Sequence, residues 1–182
     1  MIKQKLPTKL QIIFAVLALL WMAIIFRFSA QPGVESHEVS QMVVALVTKV
    51  IGWLNAIGCK IALENIDMGL LDYIIRKIAH MTEYAVLGAL LTGSLVTGTA
   101  KKSEIAMVEV EASTEAKSRR KRILAAIVLG ILYAASDEFH QYFVPGRLGC
   151  VRDVCIDSVG VLIGVAVFTV CIKLICRKAL IE

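Results

Sequence analysis

The chain has 182 residues, 58% of them hydrophobic, a formal charge of +5 and a mean hydropathy of +0.75. Soluble domains average about 45–50% apolar residues. Here the excess lies in long runs, which excludes an ordinary soluble enzyme and leaves no length for a sizeable soluble module. The positive charge does not indicate nucleic acid, because no basic helix or aromatic–basic interleaving accompanies it.

Lys3, Lys5 and Lys9 precede the apolar run Leu10–Phe28. That run exceeds the roughly 7–15 apolar residues of a signal peptide, so it predicts an uncleaved first span over about 10–28. Between Glu35 and Asn65, Val39, Met42, Val43, Leu46, Val50, Trp53 and Ile57 recur at helical spacing opposite Glu38, Gln41, Thr48 and Asn55. This predicts an amphipathic helix over about 37–58 lying in the membrane interface. A buried re-entrant helix is the competing reading.

A second span is predicted over about 71–96. Lys77, His80, Glu83 and Tyr84 share one broad face of its opening half, and Gly88 and Gly93 in its second half suit close helix packing. Residues 97–122 mix glutamates with Lys101, Lys102, Lys117 and Arg119–Arg122 and read as a solvated cytoplasmic loop. The third and fourth spans follow over about 123–144 and 151–176. The last carries Gly160 and Gly164, a small-x-x-x-small pair. The five cysteines, Cys59, Cys150, Cys155, Cys171 and Cys176, lack any C-x-x-C pair. They read as small buried apolar residues rather than as a disulfide framework or zinc site, with Cys150 in an external loop. The expected fold is all-α and integral to the membrane: one domain, 1–182, of four transmembrane helices plus the interfacial helix.

Cations gather at the N-terminus, in 97–122 and at Lys173, Arg177 and Lys178, against Lys49 and Lys60 on the other side. The positive-inside rule then places both termini in the cytoplasm. At 1.5 Å per residue, Asp137 lies about 22 Å beyond Arg122, near the outer face. Asp153 and Asp157 enter from the outer end of the fourth span, and Arg76, Lys77 and His80 from that of the second. Charged groups inside a membrane segment usually face a protein interior or wet cavity and mark function.

Several pieces together resemble the VanZ-like family of membrane proteins. They are Phe28-Ser29-Ala30-Gln31, Lys77-x-x-His80-x-x-Glu83-Tyr84, Ser136-Asp137-Glu138-x-His140-Gln141 with Val144-Pro145-Gly146-Arg147, and Asp153-x-x-x-Asp157-x-x-Gly160. The resemblance implies a bacterial cell-envelope role in the cytoplasmic membrane and a link to glycopeptide, particularly teicoplanin, resistance. It brings no settled chemistry.

From the residues themselves, one reading is an enzyme acting on an envelope lipid or lipid-linked cell-wall intermediate. His80, Glu83, Asp137, Glu138, His140, Asp153 and Asp157 would then exchange protons. Lys77, Tyr84, Gln141, Arg147 and Arg152 would hold the substrate, the arginines offering a bidentate fork to phosphate. The carboxylates and histidines would also suit magnesium or manganese, but their spacing matches no particular site, so no metal or cofactor is assigned. A second reading is a non-enzymatic protein that captures a lipid or a lipoglycopeptide. A third is a structural ion-pair network that fixes helix register. The expected partners are membrane lipids, not nucleic acid.

Overall fold

The computed structural model describes residues 9–60, 62, 66–97 and 108–178, without the side chains of 34–37, 39, 108–114 and 176–178. Lys3, Lys5, Lys101 and Lys102, and the side chains of Arg177 and Lys178, all used above to argue orientation, lie outside the described residues. The described elements are helices: α1 (Lys9–Ser29), α2 (Gly33–Ala56), α3 (Met68–Val96), α4 (Val108–Gln141) and α5 (Val151–Lys178). No strand occurs among the described residues. Among the described residues, three segments are long and apolar enough to cross a membrane, Lys9–Ser29, Glu115–Gln141 and Val151–Ile175. α3 is not among them; Asp72, Arg76 and Lys77 interrupt its first half and Glu83 its middle.

α3 is the hub and packs against each of the other four helices. It lies antiparallel beside α1. Arg76 shares a cavity with Phe28 and Gln31 at one end, Trp21 Nε1 donates to Glu83 O at 2.9 Å in the middle, and Gly93 meets the ring of Phe14 at the other end. α5 covers another side of α3. A Cβ on Gly160 would run into the Met81 carbonyl, one on Gly164 into that of Ala85, and one on Gly88 into that of Val161. Glycine is required there because the two backbones touch. The small-residue spacing in the sequence is thus the α3–α5 seam, the kind of close approach that drives helix association where lipid removes the hydrophobic difference.

Ile25, Tyr84, Leu87, Ala134, Val161 and Val165 form the buried core. The exterior is apolar as well: Leu19, Leu132 and Val167 are each more than half exposed. A helix apolar on every side suits a lipid surround rather than water.

Four expectations need correction. The charged stretch 97–122 is not all loop, since α4 begins at Val108. Glu, Lys, Arg and Ala are strong helix formers, and Glu115 stands four residues before Arg119 in the favourable order. The helix of the predicted third span, α4, ends at Gln141 rather than 144, ahead of Pro145, which disfavours helix at the residue before it. α3 starts three residues earlier than expected because Asp67 caps it, accepting from Gly69 N at 2.8 Å and Leu70 N at 3.2 Å. Finally, Cys59, Cys150, Cys155 and Cys171 are free and exposed, so they lie on the surface rather than in the core; the side chain of Cys176 lies outside the described residues.

α2 extends over the predicted amphipathic stretch, and its apolar stripe is turned outward. Met42, Leu46, Trp53 and Ile57 are all well exposed, whereas Ser40 and Val44 are buried.

Candidate functional site

Polar residues collect at the end of the bundle where α1 and α4 finish and α3 and α5 begin. Their frame is the turn after α4. Pro145 and Gly146 form a tight turn closed by Arg147 N donating to Val144 O at 3.1 Å, with Gly146 at φ +74°, where glycine carries no Cβ penalty. The Pro145 carbonyl accepts from Gly33 N at 3.1 Å, which ties this turn to the start of α2. Arg147 then reaches carbonyls at and just beyond the end of α1: Nη2 donates to Phe28 O at 3.1 Å and Nε to Gln31 O at 2.9 Å. Carbonyls at a helix C-terminus lack intrahelical donors, and a nearby cation supplies them. The third contact runs from Arg147 Nη1 to Gln141 Oε1 at 3.3 Å. Burial lowers the Arg147 pKa from its ordinary value, opposed by the charges of Asp137 and Glu138, and the group stays protonated.

Gln141 passes the network inward. Its Nε2 donates to Asp137 Oδ2 at 3.1 Å and to Glu138 Oε1 at 3.0 Å. The other oxygen of Glu138 accepts from Cys150 N at 3.0 Å, immediately before α5, where an acidic group suits the helix N-terminus. Asp137 is faced by Ser29 and Tyr84 as well as Gln141 and is 2% exposed. Asp157 is equally buried. It feels the charges of Glu138, Asp137, Asp153 and Lys77, yet its Oδ2 has no hydrogen-bond partner. Lys77 is held by Asp153 at 2.6 Å.

A cavity of about 230 Å³ opens beside this network between the end of α1, α2 and α3. Its polar wall is Gln31, Ser40, Arg76, His80 and Glu83, and Phe28, Val43, Ile75 and Ala79 form the apolar remainder. His80 Nδ1 stands 3.6 Å from Glu83 Oε2, beyond hydrogen-bond range, and both atoms are buried without a partner, as is Arg76 Nε. Behind the cavity, Arg76 Nη2 pairs with Asp72 at 3.3 Å, and Asp72 accepts from Ser40 Oγ at 2.5 Å. A second, larger hollow of about 460 Å³ lies between α4 and α5, but Glu138 is its single acid, and both of that residue's oxygens are committed.

The predicted residues thus separate. His80 and Glu83 line the cavity; Asp137, Glu138, Gln141, Asp157 and Tyr84 lie in the buried network; Lys77 and Asp153 make an ion pair. His140 is stacked on Phe26 with ring centroids 4.4 Å apart, close enough for its charge to act on Asp137. Arg152 is on the surface against Tyr73 OH at 3.4 Å, outside the buried network. Among the described residues, no three His, Cys, Asp or Glu side chains converge as metal ligands. Asp72, Ser40 and Arg76 join this end from outside the sequence motifs. The i,i+4 spacing of Asp72 and Arg76 signalled their pairing, but nothing in the sequence brought Ser40 to them.

No curated protein and no solved structure matches the chain. A family model described as VanZ/LLP1 matches residues 14–172, which takes in the Arg147 turn, the buried acids and the cavity together. On that match the chain belongs to the VanZ/LLP1 family.

Proposed function

We propose that the chain is a multi-pass protein of the bacterial cytoplasmic membrane whose polar end faces outward and binds an envelope lipid or a lipid-linked cell-wall intermediate, so lowering susceptibility to glycopeptides such as teicoplanin. The topology in this reading has four spans, α1, α3, α4 and α5, with α2 in the outer interface and both termini cytoplasmic. Its support is the pairing of helices. α3 runs beside α1 from Gln31 to Phe14, so a membrane thick enough for α1 encloses α3 too. Arg147 joins the ends of α1 and α4, which puts those ends at one depth. The cations at the opposite end favour the cytoplasm for it.

The cavity lined by Arg76, His80 and Glu83 carries the binding reading. It joins unpartnered polar atoms to an apolar wall, the combination that a lipid head group and the start of its tail require. Family membership supports the glycopeptide link. A scaffold reading draws on Lys77–Asp153 and the three Arg147 contacts, which are all internal.

Teicoplanin susceptibility separates the two. Cells carrying the wild-type protein should tolerate more antibiotic than cells carrying Glu83→Gln or His80→Asn at equal membrane abundance. Equal protection by all three would favour the scaffold.

A further inference from the structure

We infer that Asp157 is a proton-binding site: at the junction of α3, α4 and α5 its carboxyl carries an exchangeable proton at neutral pH. The inference holds whether or not the cavity beside α2 takes a lipid, because it concerns a different set of buried groups.

Place comes first. Asp157 lies on α5 three residues before Gly160, whose Cα meets the Met81 carbonyl of α3. The two backbones touch immediately beside it. The residue is 2% exposed, and its Oδ2 is buried without a hydrogen-bond partner.

Charge decides what state such a group adopts. Asp157 is faced by Lys77 and Tyr84 from α3, Asp137 and Glu138 from α4, and Asp153 from its own helix. Lys77 is the cation of that set, and it is committed to Asp153 at 2.6 Å. Arg147 turns to Phe28, Gln31 and Gln141, Arg76 to Asp72, and Arg152 lies outside against Tyr73. Asp137 and Glu138 each accept from Gln141 Nε2, and Glu138 also accepts from Cys150 N. Asp157 Oδ2 has no such donor. An isolated buried carboxylate is costly enough that the group takes up a proton instead.

A metal cation is the other way to neutralise the acid, and the surroundings do not suit one. Gln141 directs N–H groups at Asp137 and Glu138, where a metal would need free oxygens. The site is also more than a group of acids. The hydroxyl of Tyr84, fully buried and likewise unpartnered, faces both Asp157 and Asp137. A phenol accepts and donates, so it can take a hydrogen bond from one acid and give one to the other. Ionisable groups inside membrane segments commonly mark proton pathways.

Infrared spectroscopy of the purified full-length protein in detergent tests this. At neutral pH the wild type should show the carbonyl stretch of a protonated carboxylic acid, and the band should shift in heavy water. Isotopic labelling of aspartate carboxyl carbons should move it, and Asp157→Asn should remove it, while Asp153→Asn leaves it in place. The amide reproduces the shape of a neutral acid, so Asp157→Asn should change the melting temperature by less than about 3 °C. Replacing sodium by an organic cation at constant ionic strength should leave the wild-type melting temperature unmoved. Absence of the band, or a band that follows glutamate labelling alone, overturns the inference without any variant. So does an Asp157→Asn protein that keeps the band or fails to fold, or a wild type that sodium stabilises.

Discussion

Arg147 and Glu138 show how much of this end of the molecule is architecture. Arg147 closes α1 onto the α4 turn through three acceptors, and hydrogen bonds from charged groups contribute about 1.5–3 kcal/mol each. Arg147→Ala should therefore destabilise the protein by about 3 kcal/mol or more, seen as a lower melting temperature in detergent. Arg147→Lys should rescue little, because a single ammonium cannot reproduce the planar fork. A full rescue by lysine would mean that charge, not geometry, is what matters there. Glu138→Gln keeps an acceptor for Cys150 N but turns an amide donor toward Gln141 Nε2. A smaller loss of about 1–2 kcal/mol is expected, of the order of one unsatisfied buried group. Both substitutions report on folding, which is why Glu83 and His80 are the better probes of function. None of this was legible in the Pro-Gly-Arg motif: the partners of Arg147 on α1 are more than a hundred residues away, and they are main-chain carbonyls, which leave no mark in the sequence.

At the scale of elements, the seam between α3 and α5 was written openly in the sequence. Gly160 and Gly164 stand one helical turn apart, and the structure sets them against the carbonyls of Met81 and Ala85. Overpacking a core with flexible neighbours costs about 1–3 kcal/mol. Here the neighbours are backbone, so Gly164→Leu should exceed that range and abolish monodisperse protein on size exclusion. Gly52, by contrast, is a helical glycine with nothing within 4 Å of a Cβ. Gly52→Ala should stabilise α2 by about 0.5–1 kcal/mol through helix propensity alone. A Gly164→Leu protein as stable as wild type would mean the two helices can move apart. What the pattern did not reveal was the helical start of α4, because a dense mixture of glutamate, lysine and arginine resembles a solvated loop and a solvated helix equally well. The apolar stripe of α2 was legible, and its orientation was not. α2 meets α3 through Ser40 and buries Val44, leaving the stripe outside, and no local periodicity distinguishes a face that meets protein from one that meets lipid.

For the whole molecule, the direct contacts constrain topology more tightly than hydropathy does. Hydropathy alone selects α1, α4 and α5. With those three spans only, the end of α1 and the turn after α4 would fall on opposite sides of the membrane, and Arg147 could not reach Phe28 and Gln31. In the proposed four-span topology the conflict does not arise, because α3 would return the chain to the starting side before α4 begins. The exposed cysteines make this measurable. Cys59 follows α2 and Cys150 precedes α5, and the proposed topology puts both outside the cell and exposed Lys117, in the first part of α4, on the cytoplasmic side. In single-cysteine variants, a membrane-impermeant maleimide added to spheroplasts should label Cys59 and Cys150. Lys117→Cys should be labelled only after the membrane is opened. Labelling of Lys117→Cys in sealed cells together with protection of Cys150 would indicate that α3 does not cross, and the Arg147 clamp would then have to be broken in the membrane. The reverse pattern throughout, with Cys59 and Cys150 both protected, would keep the four spans but turn the cavity toward the cytoplasm, and with it the lipid leaflet from which a head group could enter.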